Sequence, residues 1–255
     1  MVSPLWRARW RATLIHLGAS GLVAALAAAL VFEVWYPHPY ELLAGGLGLF
    51  GLLTGVDVVL GPLITLVIYD ARKRRVTLQR DLAVVVSLQL AALAYGLNTM
   101  AAARPVALAL EIDRFRVVAA VDVVRQELPL APAALRRLPL TGPVLLRTTL
   151  PADGDAKLEA IQRALGGQDL GVRPKFWQPW DDTARRQLRQ AAKPVATLQR
   201  ADAQRAAAID RAVAATGLPA SQVGVVPLLA RRAGGVVLVN RDSGEVAGFG
   251  LFATD

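Results

Sequence analysis

Three apolar runs crowd the first hundred residues, at 12–32, 42–68 and 82–103, and each is closed by charge. Each exceeds the ~20 residues that a helix needs to cross a hydrocarbon core about 30 Å thick. Such runs in succession have no use in a soluble domain, so the chain is expected to be a membrane protein with three transmembrane α-helices.

Charge orients the runs. Arg7, Arg9 and Arg11 precede the first, and Arg72, Lys73, Arg74, Arg75 and Arg80 lie between the second and third. The 33–41 loop has no Lys or Arg. The positive-inside rule then places the N-terminus and the Arg-rich 70–81 loop in the cytoplasm and everything after Arg104 outside, the periplasmic side of a bacterial inner membrane. Trp6, Trp10, Trp35, Tyr36, Tyr40 and Tyr69 fall at the run ends, where amphipathic rings favour the headgroup layer. The first run is longer than the 7 to 15 apolar residues of a signal-peptide core, so it is expected to stay as a helix. The expected division is a membrane domain over 1–104 and a periplasmic α+β domain over 105–255.

The formal charge of +9 splits into +4 before residue 105 and +5 after it. The first share is mostly topogenic and the second is scattered, with no basic stripe or stacking-aromatic module, so nucleic acid is not expected as a partner. There is no cysteine, and His16 and His38 are the two histidines, both outside the second domain. Disulfides, Cys-ligated metals and His-based triads are therefore excluded from that domain, and neither cofactor nor enzyme activity is expected.

Asp57 is the one acid deep in a run. It lies 13 residues from Asp70, ~20 Å along a helix, which puts it near mid-bilayer. An ionisable group at that depth is costly and usually faces a bundle interior with a partner. Tyr95 is the expected partner on the third span, with Gln89 nearby. The acid either binds a client helix or a proton, or fixes helix register. Gly51 and Gly55 form a GxxxG pair and Ala92 with Gly96 a second small-residue face, both suited to close packing within the bundle or with a foreign helix. Pro62 removes a backbone donor and is expected to kink the helix below Asp57. His16 reads as an interfacial or packing residue.

The ordered set of Leu-Ile-His-Leu (14–17), Val-Trp-Tyr-Pro-His-Pro-Tyr (34–40), Gly-Val-Asp-Val-Val-Leu-Gly-Pro-Leu-Ile-Thr-Leu (55–66), Asp-Leu-Ala (81–83), Gln-Leu-Ala-Ala-Leu-Ala-Tyr-Gly (89–96), Arg-Pro-Val (104–106) and Asp-Arg-Phe (113–115) resembles the TfpX/TfpZ family of type IV pilin accessory proteins. The resemblance implies an inner-membrane factor that helps a cognate type IV pilin assemble, with the inner-membrane assembly machinery and the lipid bilayer as further partners. It carries no catalytic residues. The rival readings centre on Asp57: an intramembrane aspartyl peptidase, which needs two carboxylates sharing a site, and a small transporter, which usually shows repeated topology.

Beyond the third run, strands are expected at 105–112, with Val106, Leu108, Leu110 and Ile112 on one apolar face, and at 142–150, 223–229, 236–240 and 246–252. Helices are expected at 155–165, 181–192 and 198–216. The terminal strands should complete one sheet with the strand from 105. Arg173, Lys175, Phe176, Trp177 and Trp180 form an aromatic, basic, Pro-broken loop. This loop is either a partner contact or a cover on the core with Phe176 and Trp177 as plugs.

Overall fold

The computed structural model describes residues 4–199 and 203–252. The chain splits into two compact units, Met1–Val34 with Gly46–Ala102, and Trp35–Gly45 with Ala103–Asp255.

In the first unit, helix α1 (Pro4–Ala29) runs on through a π-type turn, Leu30–Trp35. After the short helix α2 (Tyr40–Leu43), which belongs to the second unit, come α3 (Gly46–Gly55), a π-type turn (Val56–Leu60) and α4 (Gly61–Ile68) in one rod, and then α5 (Arg75–Ala103). Three helices are long and apolar enough to cross a membrane: Leu5–Trp35, Gly46–Ile68 and Arg75–Ala103. Their apolar side chains stay largely exposed, Leu52 at 73%, Val67 at 74% and Leu88 at 68%. So much uncovered apolar surface marks a contact with lipid or protein rather than water.

The α4–α5 turn is held by its own charges. Lys73 Nζ donates to the Ile68 carbonyl (3.1 Å) and pairs with Asp81 (2.6 Å). Hydrogen bonds from the Arg72 side chain and backbone N–H hold the Asp70 carboxyl down at about 2.

The second apolar run does not enter its span at residue 42. Leu42 and Leu43 lie in α2, and Leu43 is fully buried in the core of the second unit. Gly45, at φ +77°, turns the chain before α3 begins, a conformation natural to glycine.

The second unit is a mixed sheet with helices. Its strands are β1 (Pro105–Leu110), β2 (Phe115–Ala119), β3 (Val144–Thr148), β4 (Trp177–Pro179), β5 (Lys193–Pro194), β6 (Val223–Leu229), β7 (Gly234–Asn240) and β8 (Glu245–Phe252). The order is β4-β3-β1-β2-β6-β7-β8, with β5 also on β6. β1–β3 and β2–β6 pair in parallel and the other pairs are antiparallel. The C-terminal strands do share a sheet with the strand from 105, but through β2, which the sequence reading missed.

Strand β1 is buried at every residue, because the sheet is covered on both faces. Leu108 and Leu110 join Phe115, Leu188, Val226 and Val237 in one cluster, while Val106, Ala107 and Ala109 join Val118, Leu146 and Trp177 in another. Ile112, expected on the apolar face, lies beyond the strand and is exposed. Helices α6 (Gly154–Leu165) and α7 (Asp182–Ala191) are capped by Asp153 and Asp181, whose carboxylates accept the N–H of Ala156 and Ala184 at 2.8 Å each. The helix expected at 198–216 crosses residues 200–202, which lie outside the described residues. On either side stand α8 (Val195–Gln199) and α9 (Ala203–Ala215).

Candidate functional site

A π-type turn moves each helical hydrogen bond one residue further along. Within Val56–Leu60 the donor due to the Asp57 carbonyl becomes residue 62, which is Pro62 and has no N–H. The Gln89 side chain on α5 supplies it, Nε2 donating to the Asp57 carbonyl at 2.9 Å. A backbone carbonyl within so apolar a segment needs a protein partner, and this bond supplies one while tying α5 to the α3–α4 rod. Gln89 Oε1 then faces His16 Nε2 (2.8 Å), which donates, and His16 Nδ1 meets the Thr65 hydroxyl at 2.6 Å. One side-chain chain thus crosses all three apolar helices.

His16, expected as an interfacial or packing residue, is the hub of this network. Aligning depth from the charged ends would have found it: His16, Thr65 and Gln89 stand five, five and eight residues from Arg11, Asp70 and Asp81. Tyr95, the expected partner of Asp57, is not brought to it. It is 76% exposed and its carbonyl accepts from Thr99. The Asp57 side chain instead lines a cavity of about 140 Å³ with His16, Thr54, Gln89 and the apolar Val86 and Leu93. Its carboxylate has no hydrogen-bond partner among the described residues.

Of the expected small-residue positions, Gly96 makes a close approach, and Gly61 makes another that was not expected. Around Gly51 and Gly55 nothing comes within 4 Å of where a Cβ would stand, so the GxxxG pair makes no contact in this chain. Gly61 lies against the Gln89 amide and Gly96 against Leu53, and a Cβ at either would collide with that side chain. Ala92 is exposed. Pro62 is buried within the rod, where its effect is to remove the donor rather than to end the helix.

The aromatic loop of the second unit is core and not surface. Two short 3₁₀ turns, Leu170–Val172 and Pro174–Phe176, fold it onto β3, and Trp177 opens β4 opposite Thr148. Trp177 is 2% exposed and its indole N–H donates to the Gly171 carbonyl at 2.8 Å. Arg173, 1% exposed, pairs with Glu127 at 2.9 Å and stacks over the Phe176 ring, 4.9 Å from its centroid. Lys175 stands over the same ring at 5.1 Å. Trp180 is half-buried beside Phe115, ring centroids 6.2 Å apart. Burying aromatic area while bonding the indole N–H and pairing the guanidinium is how such a loop becomes a plug. As partner contacts, Arg173, Phe176 and Trp177 are therefore withdrawn.

The 35–45 segment is the opposite case, an apparent connecting turn that carries core residues. Tyr36 is fully buried, Tyr40 packs edge-on against Phe249 at 5.9 Å, and Arg232 N–H donates to the Leu43 carbonyl at 3.2 Å. Burial pushes the phenols of Tyr36 and Tyr40 up to about 12 each. Among the described residues, no group of three or more His, Asp or Glu is placed to hold a metal ion.

The class the fold defines is three apolar helices of spanning length followed by a mixed-sheet domain, with a polar crossing inside the helices. The family model for the fimbrial assembly protein FimB matches residues 4–45. The fimbrial assembly protein of serogroup I from Dichelobacter nodosus is 37% identical over 182 residues, 71% of this chain and 70% of that relative. The serogroup E1 protein of the same organism is 35% identical over the same shares, and the one of serogroups C1 and C2 is 41% identical over 117 residues, 89% of its length. The chain belongs to the fimbrial assembly protein family. No solved structure matches it.

Proposed function

We propose that this chain is a non-enzymatic accessory of type IV pilus assembly in the bacterial inner membrane, and that it binds the membrane helix of a cognate pilin beside Asp57. Its role in fimbrial assembly follows from its family; the pilin, the type of pilus and the membrane side are the proposal. The supporting observation is the mid-span polar crossing. Asp57, unpaired and lining a cavity among helices that bury little of one another, offers a foreign helix both a polar anchor and apolar walls. Among the residues lining that cavity there is no second acid, so the two-carboxylate chemistry of an intramembrane peptidase has no support there. The Arg-rich ends support a cytoplasmic N-terminus and 70–81 loop, with the sheet domain in the periplasm.

Two experiments test this. Alkaline phosphatase fused after residue 254 should be active and after Arg75 inactive; the reverse pattern would overturn the orientation. A photocrosslinking residue placed at Leu90, in native membranes, should capture pilin. Asp57→Leu should abolish both capture and piliation, whereas Asp57→Asn retains them if hydrogen bonding suffices. Normal piliation in Asp57→Leu at normal protein level would end the site proposal.

A further inference from the structure

A second cavity, of about 710 Å³, opens between α1, α4 and α5 at the Arg-bearing end of the first unit. Its lining on α1 runs from Arg7 to Ala19, about 18 Å of helix. Behind the Arg7–Arg11 mouth the groove runs from Ala12 to Ala19, about 10 Å, and so reaches part of the way into one leaflet. The His16–Thr65 hydrogen bond lines its inner part. The walls between are apolar, with Ala12, Ile15 and Leu82 among them. At the mouth stand Arg7 and Arg11, both exposed, with no acidic residue among the groove's lining. Arg72 and Lys73 of the adjoining turn, by contrast, are paired with Asp70 and Asp81.

From this geometry we infer that the groove holds one anionic phospholipid of the leaflet at the Arg-bearing end, its phosphate on Arg7 and Arg11 and an acyl chain along Ala12, Ile15 and Leu82. The charge at the mouth and the apolar slot behind it select this occupant together: a free phosphate would use only the first and a zwitterionic lipid chiefly the second. The bound lipid fills the space between α1 and α5 and so sets the spacing of the helices that carry His16 and Gln89. The inference rests on the membrane reading above.

Native mass spectrometry of the full chain in detergent, with phosphatidylglycerol and phosphatidylcholine added together, tests it. One phosphatidylglycerol should be retained in preference. Arg7→Gln with Arg11→Gln should lower that preference about 30-fold, or ~2 kcal/mol at about 1 kcal/mol per cation. Arg74→Gln with Arg80→Gln removes equal charge outside the groove and should leave the preference intact, and Ala12→Phe, which fills the slot without touching charge, should lower retention. An equal loss in both arginine pairs, or full retention in Ala12→Phe, would overturn the site. Displacement of the lipid by inorganic phosphate would mark an anion site instead and overturn the lipid assignment. A wild-type protein that enters vesicles yet shows no lipid preference refutes this inference while leaving the membrane reading standing.

Discussion

The two units use apolar residues in opposite ways. In α1, α3–α4 and α5 most large apolar side chains face outward, and the helices meet at a few polar and glycine positions. In the sheet unit β1 is buried along its whole length and the apolar residues meet one another. The difference teaches that apolar burial does little to hold these helices to each other; in the bilayer proposed above, lipid serves a leucine as well as a neighbouring helix does, and polar crossings and close packing must do so. In the sheet unit burial is the main driving force.

The comparison breaks first at Trp177. Trp177→Ala in the full chain should cost the sheet unit about 3 to 5 kcal/mol, the usual loss for a buried aromatic, read as a lower urea midpoint in near-UV circular dichroism. An unchanged midpoint would return the ring to the surface and weaken the account of a two-sided core.

Next comes alkaline pH. Burial disfavours the phenolates of Tyr36 and Tyr40, so each folded pKa of about 12 lies above the unfolded 10.0. The stabilisation is therefore complete below pH 10 and is lost as pH rises towards 12, on the order of 2 kcal/mol for each ring. Tyr36→Phe with Tyr40→Phe should flatten the stability profile over that window, and a profile unchanged by the substitutions would show that other groups control it.

Within the helices, Gly61→Leu forces a side chain onto the Gln89 amide and should cost about 1 to 3 kcal/mol, while Gly51→Leu should be nearly neutral. Equal losses in detergent unfolding would restore the GxxxG pair as the packing face. The smallest effect belongs to Gln89→Leu, at about 1 kcal/mol, the scale of intramembrane hydrogen bonds. A backbone amide hydrogen-exchange measurement should show faster exchange confined to residues near the Val56–Leu60 turn.

Spans and most strands could be read along the chain because each is a local pattern: long apolar runs closed by charge, and shorter apolar runs bounded by turn residues in β6 to β8. The Phe115–Ala119 strand was missed because it is five residues long with Arg116 near its start, although β1, its antiparallel partner, lies only four residues before it. The Trp177 loop left two readings open, since exposed and plugging aromatics look alike until something is seen to cover them. His16, Gln89 and Asp57 were each visible as polar residues in apolar runs, but the partner chosen for Asp57 was Tyr95. Depth along a helix can be counted from the charges at its ends, whereas the face that each helix turns to its neighbours depends on rotation, which a period of 3.6 residues leaves open when nearly every position is apolar. Period and length are properties of neighbouring residues and so are written in the chain. The missing donor at Pro62, the Gln89 that replaces it and the burial of Tyr36 and Leu43 are relations between distant residues, and it took packing to bring them together.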